Sequence, residues 1–270
     1  MRKFIKWGLI VVVVLFVIGL IAVPSNKTKV EKEKEITPQI LSDKESKILS
    51  VLLKDELKIF IDGGDSIISL ESWNKLNKEM PLLTTANHLQ TEYEKNEVSA
   101  DQQYKDKNLL ITGKVKEIAK DFTDAIVIRL QGGSNPFMTP NVHMEDGYTD
   151  YSAQLEKGQT VHLVCKGGGM IVGSAMLKEC LPADVWADKA LNDIMGNIPN
   201  SIESKDQVVL KLKAITTVIS NTLPNNSECF VQNGTANGCM KEISAQFEKE
   251  NFQKSYNEEA KRIGVIAKNK

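Results

Sequence analysis

The sequence predicts an α+β protein: an N-terminal transmembrane helix, then a small five-stranded barrel flanked by N- and C-terminal helical segments. Three observations support this prediction. An uncharged apolar block runs from Trp7 to Val23. Between residue 109 and Pro182 apolar residues alternate as in strands, whereas on both sides they recur at helical spacing. The length of 270 residues fits one or two domains of roughly 100–200 residues each.

The apolar block is long enough to cross a membrane as a helix. Its 17 residues would extend about 25 Å, the short end of a membrane span. We therefore expect a transmembrane signal anchor over residues 1–25; a signal peptide cleaved near Ser25, which would release the body, is the alternative that stays open. The preceding cations, which tend to stay cytoplasmic, predict an inner-membrane protein with an extracytoplasmic, periplasmic body; they are Arg2, Lys3 and Lys6.

The four cysteines form two close pairs in the sequence. Cys165 is near Cys180, and Cys229 is near Cys239. An even number of cysteines in an exported chain is typical of local disulfides. Zinc binding is the alternative, but neither pair has the two-residue spacing of common zinc sites. We expect two disulfides, no metal site and no cofactor.

The segments before the strands are a charged linker and a group of helices. The linker covers residues 26–40, and the helical segment covers 41–103. Ser42 and Glu45 have the spacing of a capping box, which predicts a helix start. A further helix is predicted from about Thr85 to Asp101.

Five short strands and one short helix are predicted over the domain 104–183. Gly113 inside the first strand suggests a bend or a close backbone approach at that residue. A turn at Val172-Gly173 would place Cys165 opposite Cys180. Five strands with a helix between the third and fourth are the plan of an OB-fold, a small Greek-key barrel. The strands are expected at 109–118, 125–131, 141–144, 161–166 and 174–181, and the helix at 151–157.

Helical spacing returns after Pro182, in a C-terminal segment over residues 184–270. Ser204 and Gln207 suggest a second capping box. The Cys229–Cys239 loop contains two Asn-Gly pairs, and a last helix is expected to carry Ile243, Phe247 and Tyr256.

The stretch Tyr93-Glu-Lys-Asn-Glu97, then Ala100-Asp101, Lys120-Asp121-Phe122 and Leu177-Lys-Glu-Cys180, resembles the tRNA_anti-like family, an OB-fold group of bacterial exported proteins. The resemblance covers about residues 86–183. It implies an OB barrel preceded by a helix, with motif residues Asn96, Glu97, Asp101, Lys120 and Asp121. It implies little about activity. Unlike lipid-anchored relatives, this chain has no cysteine directly after its apolar block.

Composition and motifs disfavour several function classes. The chain has 34 basic and 35 acidic residues, and the segment from Tyr104 to Pro182 has nine of each. Nucleic-acid binding needs a basic footprint that this balance does not supply. The sequence offers no recognisable catalytic constellation, so we expect a protein that is not an enzyme. A hydrolase using Glu97 and Asp101 is the weakest alternative.

The function predicted from the sequence is that of a membrane-anchored, non-enzymatic binding or interaction module of the bacterial envelope. Its expected partners are the membrane, through residues 7–23, and an envelope protein. The alternative is an oligonucleotide- or oligosaccharide-binding protein that uses the barrel face. The expected ligand or partner surface comprises Lys114, Lys116, Arg129, Phe137 and His143.

Overall fold

The computed structural model describes residues 41–66, 68–78, 80–121 and 123–266. Its first helix begins with reciprocal hydrogen bonds between Ser42 and Glu45. Ser42 N donates to Glu45 Oε2 at 2.7 Å, and Glu45 N donates to Ser42 Oγ at 3.4 Å, which confirms the predicted capping box. The predicted transmembrane segment and linker lie outside the described residues. No helix in the described ranges combines the length and apolar character needed to cross a bilayer.

The chain divides into two units. Of the described residues, the helical unit comprises 41–60, 65–66, 68–78 and 190–266, and the barrel unit comprises 61–64, 80–121 and 123–189. The helical segment expected over 41–103 therefore contributes to both units.

A closed barrel of five strands forms the centre of the barrel unit. Its strands follow the order β2-β3-β4-β6-β5, and β2 also pairs antiparallel with β5, which closes the sheet. All five predicted strands are confirmed, the fourth being longer than expected. The strands are β2 (Asn108–Lys120), β3 (Ile126–Leu130), β4 (Asn141–Met144), β5 (Thr160–Ile171) and β6 (Ser174–Pro182).

One more strand and three helices complete the barrel unit. The strand β1 (Leu82–Thr85), absent from the sequence-based prediction, runs parallel to the first half of β2. The helices are α3 (Ala86–Lys95), α4 (Glu97–Tyr104) and α5 (Thr149–Gln154). The prediction of a single helix from Thr85 to Asp101 is wrong. Asn96 interrupts it, because its extended backbone ends α3 and its side chain caps α4.

Two glycines let the helices lie close to the strands. A Cβ at Gly113 of β2 would fall 2.8 Å from the Cβ of Ala86 in α3, which confirms the predicted close approach. A Cβ at Gly167 of β5 would clash with the carbonyl oxygen of Tyr104, the last residue of α4. Gly167 exchanges backbone hydrogen bonds with Asp106 and Lys107 at 2.9 Å, so the chain after α4 is joined to β5.

The barrel core is built from residues that alternate along the strands. Ile111, Ile128, Leu130, Val142 and Leu177 have no exposed surface. The disulfide Cys165–Cys180 lies in the same core and joins the neighbouring strands β5 and β6, as predicted. The pairing of β5 with β6 is irregular beside this bond, and Glu179 there has a left-handed backbone conformation with φ of 51°.

The helical unit has its own core, in which helices from the two ends of the chain take part. The second predicted disulfide joins Cys229, in the loop after Thr222, to Cys239 in the helix Ala236–Phe247, and is also largely buried. The helices of this unit are α1 (Asp43–Ile61), α2 (Leu70–Leu76), α7 (Gln207–Thr222), α8 (Ala236–Phe247) and α9 (Phe252–Arg262); α6 (Ala183–Glu203) begins in the barrel unit and continues into this one.

Two predictions for this unit are wrong. The capping box at Ser204 and Gln207 does not form, because Asp206 caps α7 by accepting from Val208 N at 2.8 Å and Val209 N at 3.1 Å. The single last helix is in fact two helices, α8 and α9. Phe247 ends the first and Phe252 begins the second, and their rings pack edge to face at 5.0 Å.

Candidate binding surface of the barrel

The exposed part of the outer face of strands β3 and β4 is polar, whereas Val127 on the same face of β3 is buried. Its side chains alternate with the core residues of the same strands, so Arg129 of β3 and both Asn141 and His143 of β4 point away from the core. The ladder sets Arg129 between Glu117 of β2 and Asn141 of β4. Two of the predicted surface residues, Arg129 and His143, therefore share this face.

The charge of Arg129 is matched by its neighbour on β2. Arg129 Nη1 lies 2.7 Å from Glu117 Oε2, and both side chains are partly exposed. A pair of this kind contributes only about 0–1 kcal/mol to stability, so a ligand could separate it at little cost. The face thus presents a balanced ion pair beside an amide and an imidazole, not an excess of positive charge.

Lys114 and Lys116 lie where β2 meets the β3–β4 loop. The carbonyl oxygen of Lys114 accepts from Gln131 N at 2.8 Å. Lys116 Nζ donates a hydrogen bond to the carbonyl oxygen of Pro136. These two cations are therefore at the loop end of the barrel, where the predicted surface residue Phe137 also lies, with 92% of its surface exposed.

The turn between β2 and β3 is organised by Asp121. Its carboxylate accepts from the hydroxyl of Thr123 at 2.6 Å, from Thr123 N at 2.7 Å and from Ala125 N at 3.1 Å. These hydrogen bonds, from Thr123 above all, lower the pKa of Asp121, and the nearby His143 lowers it further. Lys120 forms an exposed ion pair with Asp124 at 3.3 Å. Both motif residues of this turn thus have local structural contacts.

The motif residues of the helix pair also have structural contacts. Asn96 Oδ1 accepts from Ser99 N at 3.1 Å and so caps α4. Asp101 accepts from the hydroxyl of Tyr93 at 3.1 Å and from Lys105 Nζ at 3.0 Å, so it links α3 to the end of α4. Burial raises the pKa of Tyr93, and the hydrogen bond to Asp101 raises it further. Glu97 is exposed in the first turn of α4.

A buried glutamine, which the sequence analysis missed, fixes the turn between β5 and β6. Gln90 of α3 has no exposed surface. Its Nε2 donates to the carbonyl oxygen of Gly173 at 2.7 Å, and its Oε1 accepts from Ala175 N at 2.9 Å. Helical spacing places Gln90 beside Leu89 and Tyr93 on the buried side of α3, and a polar residue at such a position is the signal that could have identified it.

The same helix holds the β3–β4 loop. Asn87 Oδ1 accepts from Gly133 N at 3.1 Å, and the carboxylate of Glu94 accepts from Ser134 N at 3.0 Å. The hydrogen bonds from Ser134 lower the pKa of Glu94. Helix α3 therefore holds two neighbouring loops of the barrel by side-chain hydrogen bonds.

The described residues contain no group of three or more His, Cys, Asp or Glu side chains that could hold a metal ion. Their four cysteines are all in disulfides, which are typical of an oxidising, extracytoplasmic compartment.

Comparisons with known proteins give one match. Searches of curated proteins and of solved structures find none. The family model described as tRNA_anti-like matches residues 1–181, a longer stretch than the resemblance noted in the sequence. This match spans more than half of the chain and includes the whole barrel up to Leu181. The chain therefore belongs to the tRNA_anti-like family.

Proposed function

We propose that the protein is a non-enzymatic binding module of the bacterial envelope, anchored in the inner membrane by residues 7–23 with its body on the extracytoplasmic side. The observation that carries the proposal is the closed barrel with a disulfide in its core. OB-folds bind their ligands on the face formed by their second and third strands, which are β3 and β4 in this chain. Disulfides persist outside the cytoplasm, so both bonds support an exported body.

The face of β3 and β4 is the proposed partner surface. Arg129 and His143 supply polar groups on a rigid sheet, the amide oxygen of Asn141 being buried beside them, and the pair between Arg129 and Glu117 can exchange with a partner's charges. We assign no catalytic role to Glu97 and Asp101, since Asp101 is engaged with Tyr93 and Lys105. The partner on this surface is an envelope protein.

Topology is tested by protease treatment of intact spheroplasts that express the full chain. We expect proteolysis of the body, with a protected N-terminal fragment, and a mobility change on reducing gels that reports both disulfides. A body that is protected from protease, with free thiols, would overturn the envelope location. A body recovered entirely in the soluble periplasmic fraction would replace the anchor with a cleaved signal peptide.

The partner surface is tested by photo-crosslinking from the face in living cells. A photoreactive residue replaces His143 in one variant and the exposed Lys157, between α5 and β5, in the control. We expect a discrete crosslinked product from position 143 that Arg129→Ala weakens and that position 157 does not give. Equal products from both positions would contradict a specific surface.

A glycan or single-stranded nucleic acid on the same face is the second candidate. The observation in its favour is the row of polar side chains without excess charge, which suits hydroxyl groups better than phosphates. Titration of the full chain in detergent with cell-wall glycan fragments and with labelled single-stranded DNA separates the cases. Saturable glycan binding that Asn141→Ala weakens would support this candidate, whereas DNA binding that weakens steeply with salt would indicate the nucleic-acid form.

A further inference from the structure

Four large apolar side chains are exposed together at one end of the barrel. Two belong to the β3–β4 loop and two to the β5–β6 turn. We call this group the tip patch; it consists of Phe137, Met138, Ile171 and Val172. Phe137 is 92% exposed and Val172 is 88% exposed. Contiguous exposed apolar groups of this kind mark protein or membrane contacts in soluble domains.

The two loops touch at Met138 and Gly173, which brings their exposed apolar side chains to one end of the barrel. A Cβ at Gly173 would lie 2.5 Å from Met138 Sδ and 3.3 Å from its Cε. Met138 therefore rests on the turn that carries Val172. Phe137 precedes Met138 in the same loop, so its exposed ring lies at the same end of the barrel.

Helix α3 holds both loops in place. Gln90 bonds to the backbone on both sides of the β5–β6 turn, and Asn87 and Glu94 accept from amides of the β3–β4 loop. The tip patch is thus presented on a fixed support. A surface that is already ordered loses less conformational entropy when it binds.

Val172 contributes little to folding where it stands. Its φ is 49° and that of Gly173 is 79°, in a two-residue turn where Asn-Gly is favoured and a β-branched residue is strained. Its side chain is almost fully exposed and fills no part of the core. A strained, exposed valine is therefore explained better by a contact outside the chain than by the stability of the turn.

The shape and size of the tip patch favour a lipid surface over a second copy of the chain. Four side chains at the tips of two loops cover a few hundred Å², whereas a stable protein interface buries about 800 Å² on each partner. Loop tips also project from the sheet, and projecting apolar side chains can enter the boundary between headgroups and acyl chains.

The charges around the tip patch suit an anionic membrane. Residues 131–140 and 171–174, which form the two loops, contain no acidic side chain of their own, although the carboxylate of Glu94 in α3 is bonded to the Ser134 amide. Lys114 and Lys116 adjoin the β3–β4 loop, and Lys116 is bonded to Pro136 beside Phe137. Lysines near a membrane surface are attracted by anionic lipids.

The tether length also favours a membrane. Between Val23 and Leu41 the chain has 18 steps, which reach at most about 65 Å. A body held at that distance from a bilayer meets lipid at high effective concentration.

We propose that the tip patch is a second membrane contact, in which Phe137 and Val172 enter the interface of an anionic bilayer next to the anchor. This inference rests on the membrane anchor of the proposed function. The contact would fix the orientation of the barrel and leave the face of β3 and β4 accessible to a partner.

Quenching by brominated lipids tests the contact in the full chain. The protein carries Trp7→Phe, to remove the tryptophan at the anchor, and Phe137→Trp as a reporter. It is reconstituted in vesicles of phosphatidylcholine with one quarter phosphatidylglycerol, with or without bromine on the acyl chains. The remaining native tryptophans, Trp73 and Trp186, are buried and give a constant background.

The matched control is Ala125→Trp, an exposed position in the β2–β3 turn at the other end of β3. We expect the reporter at 137 to lose at least twice as large a fraction of its emission as the reporter at 125. Adding Val172→Asn should reduce the quenching at 137, and so should vesicles without phosphatidylglycerol.

Two results would overturn the inference, and flotation of the same vesicles separates them. If the protein floats with the vesicles but positions 137 and 125 are quenched equally, the anchor stands and the tip contact is wrong. If the protein does not float, the anchor of the proposed function is wrong, and the tip contact falls with it. Emission at 137 that shifts to the blue without bromine quenching, together with a dimer in detergent, would assign the tip patch to a second copy.

Discussion

The two disulfides stabilise regions that are otherwise held together in different ways. Cys165–Cys180 joins strands that a backbone ladder already pairs on both sides of the bond. Cys229–Cys239 closes a segment whose residues 224–235 form only turns, held by short-range backbone hydrogen bonds such as Phe230 N to Ser227 O at 2.9 Å and by side-chain bonds such as Ser227 Oγ to Glu242 of α8. The barrel unit thus keeps its geometry through its sheet, whereas the segment between α7 and α8 depends on covalent closure.

Removing either disulfide gives the largest expected effect and tests this contrast directly. The loops closed are of similar length, with separations of 15 and 10 residues, so each removal should lower the free energy of unfolding by about 3 kcal/mol. The pairs are replaced as Cys165→Ala with Cys180→Ala, and Cys229→Ala with Cys239→Ala. Urea unfolding followed by circular dichroism measures both.

Hydrogen exchange separates the two variants. Amides of β5 and β6 should stay protected without Cys165–Cys180, because their ladder remains. Amides between residues 224 and 240 should exchange much faster without Cys229–Cys239. Comparable local opening around both bonds would contradict the contrast.

The next largest loss of stability should come from replacing Gln90, because its side chain, and not the strand ladder, holds the β5–β6 turn to α3. Gln90→Ala leaves the carbonyl of Gly173 and the amide of Ala175 without their side-chain partner. A loss of about 2 kcal/mol in the unfolding free energy is expected for buried groups of this kind. Thermal unfolding measures it, with the exposed Thr91→Ala as control. A loss below 0.5 kcal/mol would show that the β5–β6 turn is stable without the hydrogen bonds with Gln90.

A smaller and pH-dependent effect is expected in the helical unit, where Glu45 of α1 accepts from the hydroxyl of Thr217 of α7. Burial alone raises the pKa of Glu45, but hydrogen bonds from Thr217 and Ser42, with the charge of Lys213, outweigh it and lower the pKa. Stability from a lowered carboxyl pKa is present above the unfolded value, about 4.3, and is lost as the pH falls through the folded value.

Thr217→Val should therefore cost about 1.5 kcal/mol at pH 7, the size of a hydrogen bond to a charged group, and clearly less at pH 3. Denaturant unfolding at both pH values measures the difference, and the exposed Thr222→Val is the control. A cost that does not change with pH would mean that Thr217 acts through packing alone.

The smallest effect is a gain in the barrel unit. Val172→Asn relieves a left-handed conformation that costs a β-branched residue about 1 kcal/mol, so the free energy of unfolding should rise by up to that amount. Ile171→Asn removes a neighbouring exposed side chain without that relief and should give no gain. If both variants raise the free energy of unfolding equally, the gain comes from removing an exposed apolar side chain and not from relieving backbone strain.

Alternation in the sequence predicts the barrel because each strand has one buried face. Val115, for example, stands between Lys114 and Lys116 on β2, and the structure buries Val115 fully. The disulfide between β5 and β6 follows from the turn at Val172-Gly173. The strand β1 could not be predicted in this way, since its four residues do not alternate in burial and their pairing with β2 is non-local.

Breaks between consecutive helices are a second feature of the fold that hydrophobic periodicity could not predict. Tyr93 and Ala100 keep helical spacing across Asn96, although Asn96 ends one helix and begins the next. For the candidate site, Arg129 and His143 could be placed on one face from alternation alone. The partner of Arg129 could not, because a local irregularity in β2 between Val115 and Glu117 sets which side chain lies opposite.

The closure of the barrel has a consequence for unwanted association. Since β2 pairs with β5, the five barrel strands expose no full-length edge. The open side of β1 is only four residues long, and Thr85 at its end already caps α3. A neighbouring polypeptide that tried to extend the sheet along β1 could form a ladder of no more than these four residues. The described strands therefore offer strand-by-strand aggregation a poor template, although Leu82 and Leu83 lie exposed on β1.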